Sequence, residues 1–467
     1  MIHDRTRPLR PSGRVTMTTL ASIAAAGIAV ALGAAPGAPV KDGQATEPPE
    51  LIASVKEALG LTAGTIVGLE VADAPGIPMQ AVVPLDGQLV TLDLAPHSVR
   101  SEDYQVFAQI EGGKLVPVPP APIRTLRGVV AEIPGSKVAA SVLPDGLHAM
   151  ILLPEGDRFW VQPVAPSVEG APENLHVVYH DDDTLPAGTC GVNDRWLADQ
   201  GDPNDGPLGG GGSGNCTPVE AQLGCDADFE FYVDFGSSVT NVENRINSII
   251  NTCNVQYVND VGIVHAITII IVRTTVNDPY TAGTLGGLLD QFRIRWNNNH
   301  AEHGVPHDLA QLFTGRNLSG GVLGVAYVPG FTTVCGSFGY SVVENIGSFG
   351  CATDLSAHEM GHNWSADHCD CAGWTMNSGL TCANQFHPTF TIPQIINFRN
   401  SRTCLECLCQ GDDGLEPNDS CAAATALPAG TSPNLVVELA DEDWYTVSIG
   451  TLASLTVDAS FSHALGD

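Results

Sequence analysis

The chain has 467 residues, enough for roughly two to four domains with a sizeable core. Its 52 Asp and Glu stand against 20 Lys and Arg, for a formal net charge of −32. That balance excludes a nucleic-acid footprint, which needs clustered positive charge, and suits a protein at work outside the cell.

The first element is a targeting segment. "MIHDRTRPLRPSGRVTM" carries four arginines ahead of the apolar run "LASIAAAGIAVAL" and the small residues "GAAPGA". This is the plan of a secretory signal peptide over residues 1–35. The run is short against the ~20 residues of a membrane span, so no stable membrane anchor is expected. Secretion is the expected fate.

Residues 36–185 are rich in Pro, Gly, Val and Leu. "QAVVPLDGQLVTLDLA" and "KVAASVLPDGLHAMILLPEGDRFWVQPV" read as short strands split by Asp-Gly and Glu-Gly turns. A lone Cys190 follows in "PAGTCGVND", and residues 198–214 are a Gly/Asp/Pro-rich linker that cannot bury a core.

Beyond Cys216 the pattern becomes mixed α and β. "FEFYVDF" (229–235) reads as a strand. Thr240 and Glu243 fit a capping box, ahead of Val242, Ile246, Ile249, Ile250, Cys253 and Tyr257 at helical spacing. "HAITIIIV" (265–272) is a buried-strand run, "TLGGLLDQFRIRWNNNH" a second helix, and "DLAQLFT" (308–314) and "GVLGVAYV" (321–328) two further strands. A short helix is expected around 353–364, and a last one from Thr391, with Gln394 in a capping box, to about Cys404. After "DDGLEPNDS" the segments "NLVVELA", "DWYTVSI" and "LTVDASF" read as strands of a β-module. The expected fold class is therefore α+β, between a β-rich N-terminal region and a C-terminal β-module.

The chemistry concentrates in "HEMGHNWSADH", residues 358–368. His358 and His362 are four apart and share one helix face, where two imidazoles bind one zinc ion. His368 supplies a third nitrogen if the helix stops and the chain turns back. Three histidines leave one position open, as a catalytic zinc requires. Glu359, beside the first ligand, is placed as the general base for a zinc-activated water that attacks a peptide carbonyl.

These residues resemble the metzincin zinc peptidases. The spacing of His358, His362 and His368 with a following "WTMNSG" is that of the family's histidine motif and methionine turn. "LAQLFTGRNLSGGVLGVAYVPGFTTVC" and "HEMGHNWSADHCD" are similar to the adamalysin, or reprolysin, branch. The resemblance implies a zincin-like α+β catalytic domain with a mixed sheet and an active-site helix. It makes His358, His362 and His368 the Zn2+ ligands, Glu359 the base and Met376 the floor under the metal. Ser365 stands where the family usually has glycine, at a turn that favours positive φ; serine adopts it at a cost of about 1 kcal/mol. The strand "GVLGVAYV" is expected to leave a row of backbone groups open beside the cleft, onto which a protein or peptide substrate adds as an extended strand.

"TCGVND" resembles the family's cysteine switch, in which a propeptide thiolate occupies the position that the water needs. The resemblance makes Cys190 the inhibitory zinc ligand of a zymogen and the linker the site of processing that releases the enzyme. The expected organisation is a signal peptide over 1–35, a propeptide with switch and linker over 36–214, a zinc peptidase domain over 215–410 and a partial β-sandwich over 411–467. The last resembles the opening of the bacterial pre-peptidase C-terminal domain, incomplete here, and points to a bacterial source. Its acidic residues offer Ca2+ ligands, against the plainer reading of a solvated acidic face.

Of thirteen cysteines, twelve run from Cys216 to Cys421, an even number that can pair and so sets Cys190 apart. Cys369 and Cys371 flank the third ligand, and cross-links there would hold the loop bearing His368 and Met376. The expected function is that of a secreted zinc endopeptidase zymogen acting on extracellular proteins. The alternative is a catalytically weak binding or adhesion protein on the same scaffold. The sequence is silent on oligomeric state.

Overall fold

The computed structural model describes residues 49–191, 217–298, 304–318, 320–328 and 333–408, with short stretches at 15–19, 425–427, 445–446 and 455–459. The chain divides into two compact units, Glu47–Cys407 and a second formed by Met1–Thr46 with Leu408–Asp467. In the second unit Val15–Thr19 pairs antiparallel with Leu455–Ala459, and Thr425–Ala426 pairs in parallel with Tyr445–Thr446. The apolar run of the expected signal peptide, the linker over 198–214 and the acidic runs expected to offer Ca2+ ligands lie outside the described residues.

The first unit opens with helix α1 (Pro49–Leu59). It is followed by strands β1 (Thr65–Gly68), β2 (Met79–Leu85), β3 (Gln88–Pro96), β4 (Arg100–Gln109), β5 (Leu115–Val118), β6 (Thr125–Val130), β7 (Ile133–Leu143), β8 (Gly146–Leu152), β9 (Arg158–Pro163), β10 (Leu175–His180) and β11 (Gly188–Cys190). Eight of them form one sheet in the order β1-β10-β9-β8-β7-β6-β3-β2. The β2–β3 hairpin turns on Asp86 (φ 48°) and Gly87 (φ 78°), the paired positive φ that a two-residue turn needs. Along β3, Val90, Leu92 and Leu94 point inward while Leu89 and Asp93 face out, the period of two of a half-covered strand. Strand β9 is buried on both faces because it lies between two cores. Phe159 and Val161 join the domain's own cluster, and Trp160 joins the cluster of the following α/β part.

The α/β part follows: β12 (Val219–Ala227), α2 (Phe229–Asp234), α3 (Val239–Val261), β13 (Ile263–Arg273), α4 (Leu285–Asn298), β14 (Leu309–Thr314), β15 (Val322–Ala326), β16 (Tyr340–Glu344), α5 (Phe349–Asn363), β17 (Gly379–Leu380), α6 (Thr391–Asn400) and β18 (Glu406–Cys407). Its sheet runs β17-β11-β15-β16-β14-β12-β13-β4-β5, with β18 beside β12. Pairing is parallel from β16 through β14, β12 and β13, and antiparallel between β15 and β16. The sheet is mixed, as expected. It also contains three strands from the N-terminal region: β4 and β5 at one end, β11 near the other.

Local chemistry moves several expected boundaries. Residues 229–234 are helix rather than strand, because the buried Asp228 carboxylate accepts the Phe231 N–H at 2.8 Å and caps a turn there. The strand lies just before, in β12. Helix α3 is capped by Ser238, whose hydroxyl accepts from the Asn241 N–H, and not by Thr240. Glu243 instead turns into a buried ion pair with Arg100 at 2.9 Å. Helix α6 ends at Asn400, and Gln394 bonds to Asp367 rather than closing a capping box. The parity argument also fails: Cys225 and Cys253 are buried thiols outside any disulfide. The bridges among the described residues include Cys335–Cys404, Cys351–Cys382 and Cys369–Cys371.

Candidate active site

Helix α5 begins at Ser348, whose hydroxyl accepts the Cys351 N–H, and carries His358, Glu359 and His362, all buried. The Nε2 atoms of His358 and His362 lie 3.1 Å apart. The helix stops where the Trp364 N–H donates to Met360 O and the Ala366 N–H donates to Gly361 O at 2.9 Å. Ser365 sits in this turn at φ 72°, the left-handed conformation read from the sequence. The reversal brings His368 Nε2 to 3.2 Å from His358 Nε2 and 3.1 Å from His362 Nε2.

Three imidazole nitrogens facing one point fit a tetrahedral divalent metal. Zinc–nitrogen bonds of about 2.0–2.1 Å put neighbouring ligand atoms about 3.3 Å apart, close to these separations. The remote nitrogens settle the tautomers. His358 Nδ1–H donates to Thr375 O at 2.5 Å and His362 Nδ1–H to Ala366 O at 2.8 Å, so each Nε2 presents its lone pair to the centre. Burial, with the neighbouring histidines adding to it, lowers His358 to about 3 and His362 well below the usual range. Both are the neutral bases that a metal binds.

Glu359 points to the same place from the next position on the helix. Its Oε2 accepts from the Cys190 thiol at 3.5 Å, and its buried Oε1 meets no hydrogen-bond partner among the described residues. Burial pushes the carboxyl up to about 8. Gly324 of β15 makes the room: a Cβ there would lie 2.4 Å from Glu359 Oε1.

Cys190 arrives on β11, which runs parallel to β15 and antiparallel to β17. The Thr189 and Gly191 N–H groups donate to Gly321 O and Gly324 O at 2.8 Å, and the Cys190 N–H donates to Ser378 O at 3.0 Å. The row of backbone groups on β15 expected to be open is therefore occupied by the chain's own strand. Cβ atoms at Gly188 or Gly191 would come within 2.7 and 2.9 Å of β15 side-chain or backbone atoms, so the approach needs glycine on both sides of the cysteine. The Cys190 Sγ lies 3.6 Å from His362 Nε2, and the ligand atoms of Cys190, His358, His362 and His368 all fall within 4.8 Å of one another.

Met376 is fully buried under α5, and Gly361 lets it approach: a Cβ there would lie 2.6 Å from Met376 Sδ. The turn is tied to the helix by a group that the sequence reading missed. The buried Asp354 carboxylate, one helical turn before His358, accepts the Thr375 hydroxyl at 2.7 Å and the N–H groups of Ala383 and Asn384. Thr375 in turn holds His358 through its carbonyl. The available signal was a charged residue four before a ligand, on the same face of the helix. The Cys369–Cys371 bridge closes the loop after His368, where the Cys369 N–H donates to Met376 O at 2.8 Å. Trp364, also missed, is buried at the end of α5 and donates to Nε2 of the core residue His265 at 3.0 Å.

Residues 220–394 match the family model described as Metallo-peptidase family M12. The matched stretch runs from β12 into α6 and holds the three histidines, Glu359 and Met376; Cys190 lies outside it. Fold and match together support a metallopeptidase, a hydrolase, for this part of the chain. No helix among the described residues is long and apolar enough to cross a membrane.

Proposed function

We propose that the chain is the secreted zymogen of a zinc endopeptidase, held inactive by Cys190. The observation that carries this reading is the convergence of three histidine nitrogens, the Glu359 carboxylate and the Cys190 sulfur on one buried point. His358, His362 and His368 would hold the zinc. When bound, the ion polarises the scissile carbonyl and makes water nucleophilic near neutral pH.

The protein's own groups do the rest. Glu359 takes the proton of the attacking water on Oε1, the oxygen without a hydrogen-bond partner among the described residues, and delivers it to the leaving amine. Thr375 and Ala366 keep the proton of two ligands on Nδ1 throughout. Strands β15 and β17 receive an extended substrate segment through Gly321 O, Gly324 O and Ser378 O, the groups that now bind β11. Main-chain recognition of this kind selects loops and unfolded segments of proteins. While β11 is in place the cleft admits no substrate, and the Cys190 sulfur stands where water must enter.

The test uses unfolded casein with purified precursor and a Cys190→Ala variant, each with and without a zinc chelator. The variant is expected to cleave without processing and to lose activity with chelator. Equal activity of the two forms would remove the switch but leave the peptidase. No cleavage by either, even after the linker is cut, would remove the peptidase reading and favour a binding protein.

A further inference from the structure

Three strands of the N-terminal region enter the catalytic sheet, and they are held in different ways. Strand β11 contributes three residues, is partly exposed, and is held by backbone hydrogen bonds and Cys190. Strand β4 pairs with β13 through Arg100 and Gln105–Gln109 and leads into β5. We propose that residues 49–183 are a permanent non-covalent partner of the catalytic domain, so that cutting the linker frees only the strand carrying Cys190. This goes beyond the peptidase reading and assumes only that the linker is cut.

Four independent features carry it. Without β4, the run "IVHAITIIIVR" of β13 becomes the sheet edge. It is buried at nearly every position and, apart from one register irregularity at Thr268, lacks the lysines and prolines that protect natural edges. An uncovered β13 would be a template for aggregation.

The second feature is the start of the active-site helix. The Phe349 N–H donates to Gln162 Oε1 at 2.8 Å, and the Gly350 N–H donates to the Tyr179 hydroxyl at 3.4 Å. Gln162 also donates to Gly347 O at 3.2 Å. Two of the helix's first N–H groups are thus satisfied by the N-terminal domain, on the helix that bears His358, Glu359 and His362. Trp160 packs edge-on against Phe349, and a Cβ at Gly350 would lie 3.0 Å from its ring, so the helix is shaped to this partner.

Third, buried charges cross the boundary. Arg100 pairs with Glu243 at 2.9 Å, and the same carboxylate accepts the Ala121 N–H and the Tyr104 hydroxyl. Gln109 of β4 accepts from Arg273, whose guanidinium pairs with the buried Asp226. Removing one side of such a network strands the other. Fourth, the apolar core is continuous. Val55, Leu59, Trp160, Val177 and Tyr179 belong to the same cluster as Ile246 and Phe349.

The test is a full-length chain with specific protease sites within 41–46, 198–214 and 410–424, so that the unit formed by the two chain ends is cut away as well, folded, cut, and run on size exclusion at about 1 µM. A second protein carries a further site within 184–187, so that the Cys190 strand is cut away at both ends after folding. The two large fragments are expected to co-elute in both cases. Separation in the first protein overturns the proposal. Separation only in the second shows that the Cys190 strand was the sole attachment and overturns it equally. In the second protein, Gln162→Ala with Tyr179→Phe is expected to speed dissociation of the fragments at least about tenfold. An unchanged rate would remove the docking role given to these two caps. Neither arm reads proteolysis, so the outcome is separate from that of the casein assay.

Discussion

At one end of the catalytic sheet, β4 covers β13, with a buried ion pair from Arg100 to Glu243 and a shared apolar core beneath it. Near the other end, β11 covers β15 with three residues, flanked by glycines and anchored by one sulfur. Both strands come from the same N-terminal region and both satisfy backbone groups of the same sheet. They differ in what lies under them. Burial of apolar and charged side chains makes the first costly to remove, whereas the second gives up hydrogen bonds that water or a substrate strand can replace. On the proposed reading, one domain is structural at one end of the sheet and inhibitory at the other.

The comparison breaks most sharply at the centre of the site. Glu359→Gln in the linker-cut enzyme is expected to lower kcat by about 10²–10⁴ with the bound zinc content unchanged, measured with a peptide substrate and metal analysis. A smaller loss would assign proton transfer to another group. Next comes the β4 end. Arg100→Ala leaves the buried Glu243 carboxylate without its cation and is expected to destabilise the intact chain by about 3–5 kcal/mol in denaturant unfolding. Cys190→Ala at the other end should change the same metal-free unfolding free energy by less than about 1 kcal/mol while releasing activity. Equal costs at the two ends would erase the distinction drawn here.

A pH experiment sharpens the N-terminal contact. Asp181 accepts the Trp160 indole N–H, and burial, only partly offset by Arg158, pushes its carboxyl up to about 8. In the unfolded chain the same group titrates near about 3.9. The folded state therefore holds the proton over the interval between. Its stabilising contribution is full below about pH 4 and is lost as pH rises through about 8. Asp181→Asn should flatten the fall in stability across that window, read from unfolding midpoints at successive pH values. The smallest effect is expected at the helix end: Ser365→Gly relieves a left-handed serine and should stabilise by about 1 kcal/mol. A loss of stability there would mean that the hydroxyl has a role of its own.

Much of the site was legible from spacing. His358 and His362 at i and i+4, Glu359 beside them and a third histidine six residues on are facts of the helix period and of one reversal. The left-handed turn at Ser365 followed from the need for that reversal. The helix at Phe229 was not legible, because a hydrophobic, aromatic run satisfies strand and helix alike until a buried Asp228 caps it. Thr240 and Gln394 showed the opposite failure: a capping pattern present in the sequence was overruled by a neighbouring serine in one case and by Asp367 in the other. The cysteine count misled because a thiol in an apolar core, as at Cys225 and Cys253, needs no partner.

By itself, the sequence determined that His358 and His362 share one helix face with Glu359 beside them, that His368 lies one reversal away, and that the N-terminal region is β-rich, since each rests on residue type and local period. Only the tertiary structure decided that the Cys190 strand fills the cleft beside β15, that Asp354 ties the methionine turn to the active-site helix, and that β4, Gln162 and Tyr179 complete the catalytic fold. These are contacts between residues more than a hundred positions apart or across a turn. They are set by which surfaces must be covered, and no local pattern records them.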